Sequence, residues 1–482
     1  MSSQPLTPGR EPRDELPRAA LDAFRTELTG EVLLPTDADY DEARAIWNGM
    51  IDRYPAVIAR CTDTDDVVTA VRFAREHDLP LAVRGGGHNV TGNAVCDDGL
   101  VVDLSEMNSV RVDLESHRAY VGGGATIGDV DRETQRLGLA VPLGVVSATG
   151  VAGLTLSGGL GHLRREYGLS LDNLTSVRIV TADGQVLRAS ESRHPDLFWA
   201  VRGGGGNLGI VTNFEYELQR VGPEVYGLFV WYHGEDAAHA LRTFRKYAEG
   251  GADGEEPDRR GSVVAFTATV PELDEFPTSS WGESAVVFLG CYDGEKQAGE
   301  TAFESLRTLA DPVVDLSDSM AYTDLQTMLD EDYPDGLRYY WKAVYLDEMT
   351  DEVLDMLVEY GAASPSSLST VDVWQLGGAI ADAPVDATAF RHRESPYLVT
   401  FEANWEEEST DDENVAWARD GIAALRELGM TGGTYGNFPG FAEDPTRALF
   451  GENYDRMVEV KTTYDPENVF RLNLNVEPAG SD

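Results

Sequence analysis

Three consecutive glycines between an arginine and a histidine, Arg84-Gly85-Gly86-Gly87-His88-Asn89, constrain this chain more than any other stretch. With no Cβ in the way, successive glycines reach positive φ and bring their backbone N–H groups together, which makes a cradle for an anion such as a phosphate. Residues 64–77 place Val67, Val71 and Ala74 at i, i+4 and i+7, which predicts an amphipathic helix, and residues 79–83 predict a short buried strand. Helix, strand and glycine loop together point to a cofactor that carries a diphosphate. His88 then reads either as a turn residue at the surface or as a group that reaches the cofactor's reactive end.

The glycines recur. Residues 149–161, Thr-Gly-Val-Ala-Gly-Leu-Thr-Leu-Ser-Gly-Gly-Leu-Gly, hold five of them, and the segment is either a tightly packed bend or a backbone lying against a flat ligand. Gly204, Gly206 and Gly209 satisfy G-x-G-x-x-G, but a helix-like run precedes them at 196–201 and a strand-like run follows at 210–218. A dinucleotide fingerprint needs the reverse order, strand before and helix after, so a conventional NAD site is excluded. After Gly122 to Gly124 the third glycine falls at Gly128, one position too late for the same motif.

Charge limits the partners. The chain has 84 acidic and 38 basic residues, a net charge of −46, and only four lysines: Lys246, Lys296, Lys342 and Lys461. The acids are spread along the whole length, as in a hydrated surface that stays soluble in high salt. Nucleic acid, which needs clustered Lys and Arg, is excluded. The three cysteines are too far apart for a disulfide framework or metal knuckle, and the histidines show no ligand spacing. Asp37, Asp39 and Asp41 imitate an EF-hand start, but Glu42 stands where that loop needs glycine. No run has transmembrane length and the N-terminal residues carry no apolar signal segment, so the expectation is a cytoplasmic protein of a high-salt organism, with no membrane partner.

Beyond residue 220 the pattern changes. Period-two strands at 225–233, 262–270, 284–292, 337–345, 370–380 and 397–405 alternate with amphipathic helices at 236–248, 296–309, 350–361 and 413–428. This predicts a large antiparallel sheet with helices on one face and the other face free to wall a site. The expected organisation is a loose arm with a first helix over 1–35, a cofactor domain over 36–220, a second domain over 221–440, and a C-terminal segment over 441–482. Residues 254–260 and 381–387 read as mobile loops.

Four segments, 84–89, 149–173, 196–212 and 464–475, together resemble the berberine bridge enzyme-like FAD-linked oxidases of the vanillyl-alcohol oxidase superfamily. The pattern is most similar to members with a single covalent flavin link, of the 6-hydroxynicotine oxidase kind. The resemblance implies an α+β fold of two domains, in which the N-terminal and C-terminal segments bind FAD and the middle binds substrate. It implies that His88 attaches to the 8α-methyl of the isoalloxazine. The implied cofactor site comprises Arg84, Gly85, Gly86, Gly87, His88, Asn89, Thr149, Gly150, Gly153, Gly158, Gly159 and Gly161, with Ile210 and Val211 toward the adenine. Asn473 and Asn475, taken to share one face of a strand, would bond the ring or the substrate. Val146 stands where other members carry a second, cysteinyl attachment, so one link is expected.

Tyr435 matches the tyrosine that the family places over the flavin. Leu398 occupies the position of a glutamate base used by some relatives, and Glu402, on the same strand face, is the candidate replacement. Lys342, a strand lysine in a chain nearly free of lysine, is a candidate for a charge held at the site, and Trp374 and Gln375 are candidates for the substrate wall. The implied reaction is hydride transfer from a C–H bearing a hydroxyl or amine on a small molecule, with O2 as acceptor and Thr149 a candidate for controlling oxygen access. The alternatives are a dehydrogenase with another acceptor and a flavin-binding module without turnover, the latter favoured by Leu398.

Overall fold

The computed structural model describes residues 16–250, 256–441 and 446–480. Residues 1–15 of the expected arm and the start of the predicted loop 254–260 lie outside them. The helix Thr64–Glu76 forms where the periodicity places it, capped by the Asp63 carboxylate, which accepts from the N–H groups of Asp65 and Asp66. Val67, Val71 and Ala74 pack against Val57, Ala59, Leu81, Leu100 and Val102. These come from the parallel strands Val57–Arg60, Leu100–Asp103 and Leu81–Arg84, and Glu31–Leu33 joins them antiparallel at one edge. Helix Arg18–Glu27 packs on the same core, with Phe24 stacked on Phe73 at 4.1 Å, so this part of the predicted arm belongs to the first sheet.

A second, antiparallel sheet has the order Val110–Asp113, Arg118–Gly122, Ile210–Glu217, Leu174–Val180, Val186–Ser190. Its core includes Ile127 and Val130 of helix Ile127–Gln135, Phe198 of helix Pro195–Val201, and Met457 and Val460 of helix Tyr454–Tyr464. The C-terminal segment thus packs beside the N-terminal sheets. Lys461 ties it there: its ammonium bonds the carbonyls of Asn207 and Phe470 and the Asp465 carboxylate, all buried.

The third sheet is large and antiparallel, running through Glu224–His233, Ser284–Tyr292, Gly261–Thr269, Thr370–Gln375, Tyr397–Trp405 and Arg338–Leu346. Helices Ala237–Ala248, Asp351–Ala362 and Asp411–Glu427 cover one face through Phe244, Leu354 and Ile422, which pack on Val230, Phe288 and Phe401. The predicted strand 370–380 stops at Gln375, because Gly377 (φ +80°) and Gly378 (φ +57°) turn the chain into helix Ala379–Asp382. The predicted helix 296–309 breaks at Phe303 into Lys296–Ala302 and Glu304–Arg307. Residues 470–476 form no strand, so Asn473 and Asn475 are not strand-face neighbours. Among the described residues no helix is long and apolar enough to cross a membrane.

Candidate active site

A cavity of about 920 Å3 extends from the three-glycine loop to the uncovered face of the large sheet. Gly85 to Asn89, Thr149, Gly150, Gly153, Ile210, Val211 and Asn473 line it on the N-terminal side. The glycines divide by what a Cβ would meet. On Gly86 it would come within 2.4 Å of Gly150 N, so the two glycine segments touch backbone to backbone and form one wall. At Gly153 it would meet nothing within 4 Å, and that surface faces open space.

The resemblance placed other residues there that the structure sets elsewhere. Gly159 is held against Ser170 and Gly161 against the Leu143 carbonyl, while Gly158 (φ +136°) lies beside the Tyr435 ring; these are packing glycines behind the wall. Arg84 pairs with Asp103 and donates to the carbonyls of Ala43 (2.6 Å) and Ala45 (3.1 Å). Asn475 also stays off the wall.

The cavity fits FAD. Asn473 Oδ1 is buried at the wall with no partner in the protein, and the backbone of 204–207 lies beside it, a Cβ on Gly206 coming within 3.6 Å of Asn473 Nδ2. Backbone N–H groups of Gly85 to His88, Gly206 and Asn207 are the diphosphate donors available, since those of Gly204 and Gly205 are taken by the carbonyls of Ala200 and Leu156 and no Lys or Arg among the described residues lines the cavity.

His88 is fixed on both sides. Its Nδ1 lies 3.4 Å from Thr149 Oγ1, and the Trp47 ring stacks on the imidazole with centroids 4.8 Å apart. Burial pushes its pKa down to about 4, so the ring is neutral near pH 7 and keeps a lone pair.

Tyr435 is buried in the wall, and its hydroxyl oxygen accepts from three donors: Asn437 Nδ2 at 2.9 Å, Gly159 N–H at 3.1 Å and Leu160 N–H at 3.3 Å. Burial raises the phenol's pKa and the three donors oppose that shift by stabilising a phenolate. A phenolate formed at this oxygen would be met by all three donors.

On the sheet side the strands' two-residue period decides which residues face the site. Trp341, Thr370, Asp372, Trp374, Glu402 and Asn404 line the cavity. Lys342 has the opposite phase. Its cross-strand partner is Phe401, which packs under the helices, and it lies beside Tyr340, whose hydroxyl accepts from Arg419 of the covering helix. Gln375 pairs with Tyr397 of the same helix-side core. Neither reaches the cavity, a correction to both expectations. Glu402 does: Tyr333 Oη donates to its Oε2 and Thr400 Oγ1 to its Oε1, each at 3.0 Å. Burial holds Glu402 toward its protonated form, and burial with the neighbouring Glu402 charge does the same to Asp372.

Residues 55–190 match the family described as FAD binding domain, and residues 434–477 the family described as berberine and berberine like. An FAD-linked oxidoreductase of Dictyostelium discoideum is 30% identical over 90% of this chain and 91% of its own length. The (R)-6-hydroxynicotine oxidase of Paenarthrobacter nicotinovorans is 32% identical over 94% of this chain and 98% of its own. The chain belongs to the berberine bridge enzyme-like FAD-linked oxidoreductases. Among solved structures, 6-hydroxy-D-nicotine oxidase from Arthrobacter nicotinovorans superposes with a TM-score of 0.81 at 29% identity, covering 93% of this chain and 98% of that one. BBE-like 1 of Physcomitrella patens gives 0.84 at 21% identity, covering 95% and 99%, and shares the fold.

As an FAD-linked oxidoreductase of this family, the chain has site residues that its sequence did not single out. Trp47 lies in an irregular segment with no local motif. Asp372 and Trp341 sit in strands buried on both faces, where the pattern marks no side. Tyr333 lies in a loop, and His162 follows a packing glycine. Asn437 alone had a usable signal, its place two residues after Tyr435.

Proposed function

We propose that this enzyme carries FAD through a single covalent link to His88 and oxidises a CH–OH or CH–NH group of a small molecule, with O2 as acceptor and hydrogen peroxide as product. The observation that carries the reading is His88 itself: a neutral imidazole on the cavity wall, fixed between Thr149 and Trp47 at the end of the glycine loop. FAD, when bound, supplies the hydride acceptor. Gly85 to Asn89, Gly153, Ile210, Val211 and Asn473 would hold it.

The chain's own groups handle the proton. Tyr435, with three donors on its oxygen, is suited to take the proton from the substrate's hydroxyl or amine as the adjacent C–H bond breaks. The carboxyl pair Asp372 and Glu402, which also lines the cavity, would be a second place to hold a proton. Val146 lines the cavity and no cysteine among the described residues does, which supports one link rather than two. The name of the relative (R)-6-hydroxynicotine oxidase supports O2 as acceptor. The dispersed acidic surface supports a high-salt cytoplasm as the working environment.

Anaerobic bleaching of the purified protein in concentrated KCl, against alcohols, sugars and cyclic amines, tests the reaction. Bleaching by one class followed by recovery with peroxide on admitting O2 is the expected result. Reduction without reoxidation by O2 would make the enzyme a dehydrogenase.

A further inference from the structure

We propose that one half of the large sheet, strands Glu224–His233, Ser284–Tyr292 and Gly261–Thr269, carries an apolar subsite of the cavity. The substrate is then amphiphilic, with an aryl or alkyl group seated on these strands and its polar, reacting end at Tyr435. This rests on the oxidoreductase reading above and adds a shape to it, without choosing between hydroxyl and amine.

The division follows from the two-residue period of the strands. In one phase every strand packs under the helices, through Leu228, Phe288, Ala265, Val373 and Phe401 in turn. The opposite phase faces the cavity, and its chemistry changes across the sheet. Strands Thr370–Gln375 and Tyr397–Trp405 present Thr370, Asp372, Glu402 and Asn404. The three strands beyond them present Phe229, Trp231, Leu289, Val264, Phe266 and Ala268. The border runs where Phe266 pairs with Asp372. Apolar residues in both phases are expected of a sheet buried on both faces. Here the described residues leave Phe229, Phe266 and Ala268 partly exposed on the cavity side.

This half is continuous with the reacting end. Tyr435 packs in one cluster with Trp374, Val264 and Leu160, and Phe266 packs against that cluster. In the sheet order, Thr370–Gln375 and Glu224–His233 stand three strand spacings apart, about 14 Å at the usual spacing. That reach exceeds a single aromatic ring. Glu272 and Leu273, on the loop after strand Gly261–Thr269, border the cavity and are exposed, so this loop forms the outer rim.

An oligosaccharide does not fit here. Its hydroxyls need partners, and none of the six side chains offers one, since the Trp231 ring nitrogen is itself buried. The rings make no flat platform for a sugar either. Trp231 meets Phe229, Phe266 and Phe276 edge to face, at 77°, 82° and 78°. Such a surface is matched by a group that brings no hydrogen-bonding atoms and can fill the gaps between rings.

The test uses the purified holoenzyme in concentrated KCl and isothermal titration calorimetry, a readout that does not pass through the flavin. The probes are phenol, 4-propylphenol and 4-hexylphenol, with 4-hydroxyphenyl β-D-glucoside as a long polar counterpart. Each methylene moved from water onto the subsite should tighten binding by about threefold or more. Hexylphenol should therefore bind at least about 100-fold more tightly than phenol, at one molecule per chain. The heat-capacity change should grow more negative with chain length, and the glucoside should bind no more tightly than phenol. Phe266→Ser puts a hydroxyl in the middle of the subsite and should remove most of the gain along the series. Leu273→Asp changes only the exposed rim, where folding is not at stake, and should weaken hexylphenol by about fivefold or more while sparing propylphenol.

A flat series, or a glucoside bound as tightly as hexylphenol, overturns the proposal with the wild-type protein alone. A gain that Leu273→Asp and a folded Phe266→Ser both leave unchanged overturns it too, because the tail then lies elsewhere. Flavin that a substrate bleaches, together with a flat series, sinks only this proposal. A steep series on a flavin that no alcohol, sugar or amine bleaches keeps the subsite and sinks the oxidoreductase reading instead.

Discussion

Thr149 Oγ1 stands 3.4 Å from His88 Nδ1 and joins two glycine segments that already touch through Gly86 and Gly150. The imidazole is therefore aimed by backbone packing as well as by its own contacts. His88→Ala should leave the fold intact and remove the covalent attachment. Acid precipitation of the wild type should give a yellow pellet, and that of the variant a colourless pellet with yellow supernatant. Substrate-dependent flavin reduction should slow by about tenfold or more as the ring becomes a weaker oxidant. A yellow pellet from the variant would place the link elsewhere.

Tyr435→Phe removes the oxygen that accepts from Asn437, Gly159 and Leu160. Buried donors left without an acceptor cost about 1–3 kcal/mol, so the midpoint of denaturant unfolding should fall. If the phenol also moves the proton, anaerobic flavin reduction should drop by about 100-fold or more. A loss of stability with reduction unchanged would leave Tyr435 as a packing residue.

Lys342 lies on the helix-covered face of the sheet. Lys342→Met keeps the length of the aliphatic stem there, and kcat and KM should both stay within about twofold, because the side chain does not line the cavity and so contributes no binding or transition-state contact. A tenfold or larger change in either would restore Lys342 to the site.

The contrast between Lys342 and Glu402 shows where the sequence stops being legible. Arg338–Leu346 reads Arg-Tyr-Tyr-Trp-Lys-Ala-Val-Tyr-Leu, apolar at nearly every position, because helices cover one face and the cavity wall the other. With both faces buried, alternation no longer marks a side, and the phase comes only from register with Tyr397–Trp405. Glu402 and Lys342 were therefore equally readable as site residues, and one of them faces away. The glycines failed in a similar way. The missing side chain leaves open space for a ligand at Gly153 and admits a neighbouring carbonyl at Gly161, and the residue type is the same in both. What could be read was whatever chemistry forces locally: the three-glycine loop ending in His88, the helix-before-strand context of Gly204 to Gly209, and the strands and helices of the large sheet.

Asp131 gives a test of pH-dependent stability independent of the site. It lies in helix Ile127–Gln135, packed toward Tyr322 and helix Tyr322–Gln326, and both of its carboxyl oxygens are buried without a partner. Burial raises its pKa to about 8, against about 4 in the unfolded chain. The folded state therefore holds the proton more tightly. The stability this group contributes is fully present below about pH 4 and is lost progressively as pH rises through about 8, where folding must bury a bare carboxylate. Asp131→Asn keeps the shape and cannot ionise, so the variant should be more stable than the wild type by about 2–5 kcal/mol near pH 8, with much less difference near pH 5. Chemical denaturation at both pH values in fixed KCl reads this directly. An advantage for the variant that does not change with pH would show that Asp131 does not keep its proton on folding.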